Sequence, residues 1–134
     1  MTTKGISPTQ RTLAALRDRG IICDIVERYN AYAGPFGRHN DFLGFADIIG
    51  CVPGGGILAV QSCGQSFSEH LKKLREEAGD NCLAWLQSGG HIELWSWRKV
   101  KLKRGGKAMR WSPRVLVVTE AVLGSPEVYE PGGE

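Results

Sequence analysis

The sequence predicts a single α/β domain, because helical and strand-forming patterns alternate along a chain of one domain's length. The 134 residues have 42% apolar and 23% charged composition, which is ordinary for a globular protein. No apolar run approaches the roughly 20 residues that span a bilayer, and the N-terminus lacks the apolar segment of a signal peptide. The four cysteines are widely spaced with no CxxC pair, which argues against a zinc site. We therefore expect a cytoplasmic domain over residues 1–134, with its core in 7–120 and flexible ends at 1–5 and 124–134.

The first predicted element is a helix that begins at Ser7 and ends at Gly20. Ser7 is a typical N-cap residue, and Pro8 after it suits the first helical position. Leu13 and Leu16 supply a short apolar face, and Gly20 is a typical helix terminator.

Three strands are predicted after this helix. Residues 21–29 are rich in β-branched side chains, and residues 42–51 are apolar apart from Asp47. The continuous apolar run at 57–60 is typical of a central strand covered on both faces. Glycine and proline predict a loop at 31–40 and a turn at 53–56.

A second helix and two further strands complete the predicted order α-β-β-β-α-β-β. The helix begins at Ser66 or Ser68, has apolar residues at helical spacing from Phe67 to Ala78, and is expected to kink near Gly79. Residues 91–97 alternate as in a strand, and 114–119 form the last one.

Positive charge is concentrated between residues 98 and 110, which hold no acid, whereas the charges from residue 115 onward are all glutamates. This asymmetry predicts a polyanion partner, and a solvated hairpin loop is the alternative. Trp95, Trp97 and Trp111 flank the segment and either stack on bases or belong to the core. The predicted nucleic-acid contacts are Arg38, Arg98, Lys99, Lys101, Lys103, Arg104, Lys107 and Arg110.

Asp47 is the first candidate site residue, because an acid in an apolar strand is costly to bury unless it is paired or bound to a cation. Its alternative role is to cap a turn at the strand end. A hairpin would bring Asp47 close to Gln61, at the end of the next strand. Side-chain oxygens of these two residues, with the backbone carbonyl of Ser62, could hold Mg²⁺, which prefers oxygen ligands.

These segments resemble the PD-(D/E)xK nuclease superfamily, specifically its small resolvase-like and VRR-NUC-like members, which phages often encode. The resemblance covers residues 7–100 and rests on DFLGFADIIG, a glycine turn, GGILAVQSC and HIELWSWRK. It implies a restriction-endonuclease-like α-β-β-β-α-β core, a mixed sheet flanked by helices, with an added C-terminal strand. It also implies Mg²⁺ or Mn²⁺ as cofactor and branched DNA as substrate, as in Holliday-junction resolvases.

The family's motif acid falls on Asp47 and its (D/E)xK tripeptide on Gln61-Ser62-Cys63. Gln61 therefore replaces a carboxylate, and Cys63 replaces the lysine that would stabilise charge in the transition state. Gln10 stands where the family often has a helical acid. Lys72 or Lys73, on the following helix, is a candidate substitute for the missing ammonium.

Two other acids have alternative interpretations. Asp41 is a second acid near the site or, as we prefer, the first residue of an Asx-turn. Glu27 faces solvent unless its strand borders the cleft.

The leading hypothesis is a metal-dependent endonuclease acting on structured DNA, in which Asp47, Gln61, Cys63, Lys72 and Lys73 form the site. The alternatives are a catalytically silent DNA-binding or assembly module on the same fold, and a protein-interaction module such as an anti-defence factor. The sequence does not decide whether the nucleic acid is DNA or RNA, or whether the protein is a homodimer or a monomer.

Overall fold

A computed structural model describes residues 5–124, except for the side chains of Arg38 and His39. Within this range the chain forms four helices and seven strands. In chain order they are α1 (Pro8–Asp18), β1 (Ile22–Ile25), β2 (Arg28–Asn30), β3 (Arg38–Asn40), β4 (Ile48–Val52), β5 (Gly56–Cys63), α2 (Phe67–Glu76), α3 (Gly79–Gln87), β6 (His91–Lys101), β7 (Met109–Val118) and α4 (Glu120–Leu123). No helix in the described part of the chain is long and apolar enough to cross a membrane.

The main sheet has five strands in the order β1-β4-β5-β6-β7, and a separate two-stranded sheet pairs β2 with β3. Strands β1, β4 and β5 form an antiparallel meander. Helices α2 and α3 connect β5 to β6, which runs parallel to β5, and β7 returns antiparallel to β6. The predicted α/β class, with a central mixed sheet flanked by helices and an added C-terminal strand, is therefore confirmed.

Both faces of the sheet are covered, which explains the nearly continuous apolar run in β5. On one face, Leu13 and Leu16 of α1 pack with Val60, Trp95 and Trp97. The opposite face packs against α2 and α3 in a second cluster, which includes Phe67, Leu71, Leu74, Cys82, Ala59, Ile92 and Leu94. Trp95 and Trp97, two of the three tryptophans that flank the basic segment, are therefore core residues.

Helix α1 agrees with its prediction, since the Ser7 hydroxyl accepts a hydrogen bond from the Gln10 backbone N–H at 3.1 Å. The next two predicted strands are wrong in extent. The strand predicted at 21–29 leaves the sheet after Ile25 and re-forms as β2, and the predicted loop at 31–40 contains β3.

The strand predicted at 42–51 begins only at Ile48, because residues 42–46 form a tight turn. Leu43 and Gly44 adopt positive φ angles of 55° and 81°, which an extended strand does not allow. The Asn81 side-chain amide donates to the Leu43 carbonyl at 2.9 Å and so supports the left-handed turn.

The remaining differences between the predicted and the observed elements lie in the second half of the chain. The helix expected to kink near Gly79 is two helices, since α2 ends at Glu76. The basic segment, which the predicted strands left as a loop, is only partly one: residues 98–101 belong to β6 and residues 109–110 to β7, and the Leu102 backbone N–H donates to the Ala108 carbonyl at 3.0 Å to close the turn between them. The last strand consequently begins at Met109 instead of 114. Helix α4 was not predicted. Of the ends predicted to be flexible, residues 1–4 and 125–134 lie outside the described residues.

Candidate metal centre at the sheet edge

Asp47 lies where β4 begins and β5 ends. Its backbone N–H donates to the Val60 carbonyl at 2.8 Å, which extends the β4–β5 pairing by one residue. Because these strands are antiparallel, the start of β4 meets the end of β5, and Gln61 and Ser62 lie beside Asp47. The hairpin argument from sequence thus predicted this neighbourhood correctly.

The carboxylate of Asp47 is held by three donors. Its Oδ2 accepts hydrogen bonds from the Ser62 backbone N–H at 2.8 Å, the Gln61 side-chain amide at 2.9 Å and the Ser62 hydroxyl at 3.2 Å. The Ser62 hydroxyl also lies 3.0 Å from that of Thr9 in α1. Asp47 is only 4% exposed, so its position is fixed from the sheet and from α1.

Asp41 brings a second carboxylate and a lysine to the same place. Its Oδ2 accepts from the Lys73 ammonium at 3.0 Å and more weakly from the Gln61 amide at 3.4 Å. The Asp41 side chain is 13% exposed and that of Lys73 is 33% exposed. The ion pair therefore lies at the rim of the site. Of the two interpretations of Asp41, the structure favours the second acid over the Asx-turn that we preferred.

Glu27 supplies a third carboxylate, because the chain leaves β1 alongside Asp47. The Val26 backbone N–H donates to the Asp47 backbone carbonyl at 2.9 Å, and Glu27 follows it half-buried. One carboxylate oxygen from each of Glu27, Asp41 and Asp47 lies within 4.8 Å of the others. The alternative in which Glu27 borders the cleft is therefore the one observed.

Burial and the contact between Asp47 and Asp41 shift the pKa values of these two aspartates. Burial raises the pKa of Asp47 from its ordinary 3.8 to about 7, and its hydrogen bond to Asp41 and the charge of Asp41 act in the same direction. Burial also opposes ionisation of Asp41, but hydrogen bonds from Asp47, Lys73 and Gln61, with the Lys73 charge, outweigh it and lower the Asp41 pKa. Without a cation, Asp47 therefore shares its proton with an ionised Asp41 below about pH 7.

Charge and hydrogen bonding both fit a divalent cation at this position. Three carboxylates meet here beside the Lys73 ammonium, and hard divalent cations take carboxylate oxygens as ligands. Gln61 is 2% exposed, its amide nitrogen bonds both aspartates, and its Oε1 is buried with no hydrogen-bond partner among the described residues. Buried polar atoms are rarely left unpaired. Rotation of this amide would present the orphaned oxygen to a cation held by the acids.

The other predicted site residues are placed differently. Lys72 is exposed, whereas its neighbour Lys73 reaches the acids. Cys63 is buried in the core, and burial raises the pKa of its thiol. Ser62 meets Asp47 through its N–H and hydroxyl, while the prediction used its carbonyl. Gln10 lines a different groove, beside Trp97 and Trp111.

The basic residues of the β6–β7 hairpin lie at the same edge of the sheet as the acids. Cys63, the last residue of β5, pairs with Ser96, and β6 continues to Lys101, about 16 Å further at 3.3 Å per residue. All seven basic residues of this segment are exposed, and none forms an ion pair with an acid within residues 5–124. The Trp111 ring, 38% exposed, makes cation–π contacts with the Arg11 guanidinium and the Lys99 ammonium.

Sequence reasoning missed Thr9, which no local signal marks because its partner Ser62 is 53 positions away. Its place in the first turn of α1, facing the sheet, was the available hint.

The comparisons with known proteins add no relatives: no protein-family model, curated protein or solved structure matches this chain.

Proposed function

We propose that this protein is a metal-dependent nuclease that hydrolyses phosphodiester bonds in DNA, on a restriction-endonuclease-like version of its α/β fold. The observation that carries this proposal is the meeting of Glu27, Asp41 and Asp47 with Lys73 and the buried Gln61 amide at one sheet edge. The element order also supports it, because the meander, the helical crossover and the parallel β6 follow the core that the family resemblance implies.

Glu27, Asp41 and Asp47, with Gln61 through its Oε1, would hold Mg²⁺ or Mn²⁺, which take oxygen ligands. The bound ion would supply Lewis-acid stabilisation of charge on a phosphodiester. Ser62 and Thr9 fix the orientation of the Asp47 carboxylate. Lys73 carries the positive charge that the missing tripeptide lysine would have carried, and its partial exposure leaves the ammonium accessible to a substrate phosphate.

The β6–β7 hairpin is the proposed contact for the DNA backbone. Its seven exposed cations extend from the edge that carries the acids, and phosphate contacts of this kind dominate sequence-independent affinity. DNA bound along the hairpin would therefore present a phosphate to the acidic site, which would otherwise repel it.

Asp47→Asn tests this proposal, because it retains the shape of the side chain while removing the most buried of the three carboxylates. We expect the wild-type protein to cut branched or nicked DNA with Mg²⁺ or Mn²⁺, and the variant to lose this cleavage by orders of magnitude while still binding. Equal cleavage by both proteins would refute the assignment of Asp47 to the metal centre.

A catalytically silent DNA-binding module is the second candidate, favoured by Gln61 and Cys63 at positions where the family resemblance implies charged residues. Gln61→Glu separates the two functions, since it restores a carboxylate beside Asp47. Cys63→Lys is less suitable alone, because residue 63 is buried among apolar side chains. If the wild type is inert and Gln61→Glu cuts DNA, the silent module is correct. If the wild type cuts, it is wrong.

A further inference from the structure

A second feature adjoins the acids: a groove of about 710 Å³ lined by residues 26, 28–32 and 40–43, with Asp41 in its wall. This volume lies within the roughly 300–1,000 Å³ of sites that take small molecules. Arg28, Tyr29, Tyr32 and Phe42 also line it. The groove is therefore continuous with the proposed metal centre through a shared acid.

The aromatic side chains of this groove are unusually exposed for their size. Tyr32 is 97% exposed, Tyr29 56% and Phe42 42%. Clustered exposed apolar surface of this kind typically marks a binding site. Arg28, also exposed, adds a positive charge, so the lining combines ring faces with a cation.

The loop that presents Tyr32 is held by its own hydrogen bonds. The Asn30 side chain accepts from the Tyr32 backbone N–H at 3.0 Å, and the Tyr29 hydroxyl donates to the Phe36 carbonyl at 2.9 Å. Gly37, at φ +79°, packs so closely on the Tyr29 ring that a side chain there would collide with it. The exposure of Tyr32 is thus part of a structured turn.

We propose that this groove binds one unpaired nucleotide of the substrate. The base stacks on Tyr32 and Tyr29, Arg28 neutralises a phosphate, and the adjoining phosphodiester reaches the acids beside Asp41. Bases within a duplex are already stacked and cannot enter. The inference rests on the proposed nuclease function and narrows its substrate class to DNA with unpaired nucleotides beside the cut, such as a flap or a gap.

Tyr32→Ala tests the groove, in the Asp47→Asn background so that no cleavage intervenes. The probes are a labelled duplex carrying a three-nucleotide single-stranded flap and the same duplex without it, measured by fluorescence anisotropy. Base–aromatic stacking predicts that Tyr32→Ala weakens binding of the flap about tenfold and leaves duplex binding unchanged. Tyr32→Phe, which keeps the ring, should bind like the parent. Phe36→Ala is the matched control, since Phe36 is on the same loop and 89% exposed but does not line the groove.

Each result has a distinct meaning. Flap binding that is unchanged by Tyr32→Ala, or no stronger than duplex binding in the parent, overturns the groove inference. The nuclease proposal survives that result if Asp47→Asn still abolishes cleavage. A flap preference that depends on Tyr32, in a protein that cuts no DNA with Mg²⁺ or Mn²⁺, supports the groove and overturns the nuclease proposal. A groove that binds a protein partner instead would give no flap preference.

Discussion

Asp47 is a buried acid beside Asp41, and its burial together with the Asp41 charge makes its negative charge costly when no cation is present. Its pKa of about 7 places the loss of its proton near neutral pH. A perturbed acid in a cleft is a typical sign of a functional site. The same perturbation links the pH to the stability of the protein.

We predict that, in the presence of a chelator, Asp47→Asn stabilises the protein more at pH 8 than at pH 5. The raised pKa means that the stability contributed by the Asp47 proton is fully present below about pH 3.8 and is lost as the pH rises through 7. Asparagine cannot ionise, so the variant avoids this loss. The pKa of Asp41 is lowered, so the stability that Asp41 contributes is lost as the pH falls, and this loss occurs only at more acidic pH. Thermal unfolding at both pH values should show the Tm difference grow by several degrees; a constant difference would contradict the shared-proton description.

Lys73 and Lys72 are adjacent in sequence, yet only Lys73 contacts Asp41. We predict that Lys73→Met lowers the rate of DNA cleavage by about 10² or more, because a positioned charge near the reacting phosphate is typically worth a few kcal/mol of barrier. Lys72→Met removes the same charge from the next position and should change the rate by less than about threefold, within the range expected for screened surface charges. Equal losses in single-turnover assays would show that Lys73 acts only through general electrostatics.

Among the elements, the β6–β7 hairpin divides its basic side chains between two faces. Side chains alternate along a strand, so Arg98 shares the face of Leu94, which packs in the core beneath α2. Register places Arg110 opposite Val100 on that same face. Lys99 and Lys101 share the face of Trp95 and Trp97. Lys73, which contacts Asp41, comes from α2 on the face of the two arginines.

We therefore predict that Arg98→Ala with Arg110→Ala weakens binding to duplex DNA more than Lys99→Ala with Lys101→Ala, although both double variants remove two charges. If the two arginines each neutralise a phosphate, the slope of log K against log salt falls by about two. The lysine pair should change the slope less. Identical slopes for the two double variants would contradict the assignment of the DNA contact to the face of the two arginines.

The local sequence predicted the elements whose signals are local. The Ser7-Pro8 N-cap, the apolar run of β5 and the glycine turn before it each determine their own structure. Residues 26–46 were predicted poorly, because their conformation depends on distant partners: Val26 bonds to Asp47, and Asn81 supports the Leu43 turn. The extension of β6 and β7 into the basic segment was missed, because the four residue pairs formed by residues 98–101 have no apolar alternation to reveal them.

The residues of the candidate site likewise fall into those that the local sequence predicted and those that it could not predict. Asp47 and Gln61 were predictable, because one hairpin brings the two residues together. Asp41 and Glu27 were ambiguous, since their distance from Asp47 is set by how the chain returns from the small β2–β3 sheet to β4. Lys73 could not be chosen over Lys72 from sequence, because that choice depends on the rotation of α2 about its own axis.

Across the whole molecule, one edge of the sheet carries every feature that the proposed function requires. The chain between β1 and β4 contributes the aromatic groove, the junction of β4 and β5 carries the acids, and β6 and β7 extend from the same edge as a basic hairpin. The sheet order places the acids between the other two. Flap DNA would therefore contact the hairpin through its duplex and the groove through its unpaired nucleotide, on either side of the metal centre.

The most direct test of this account is whether Glu27, Asp41 and Asp47 hold a divalent cation. We propose titrating Mn²⁺ into the wild-type protein and into Asp41→Asn/Asp47→Asn by isothermal titration calorimetry at pH 8, where Asp47 is mostly ionised. The account predicts one site in the wild type, a rise in Tm when it is filled, and loss of both in the double variant. If the wild type binds no Mn²⁺, or the double variant binds it equally well, these carboxylates are not a metal centre.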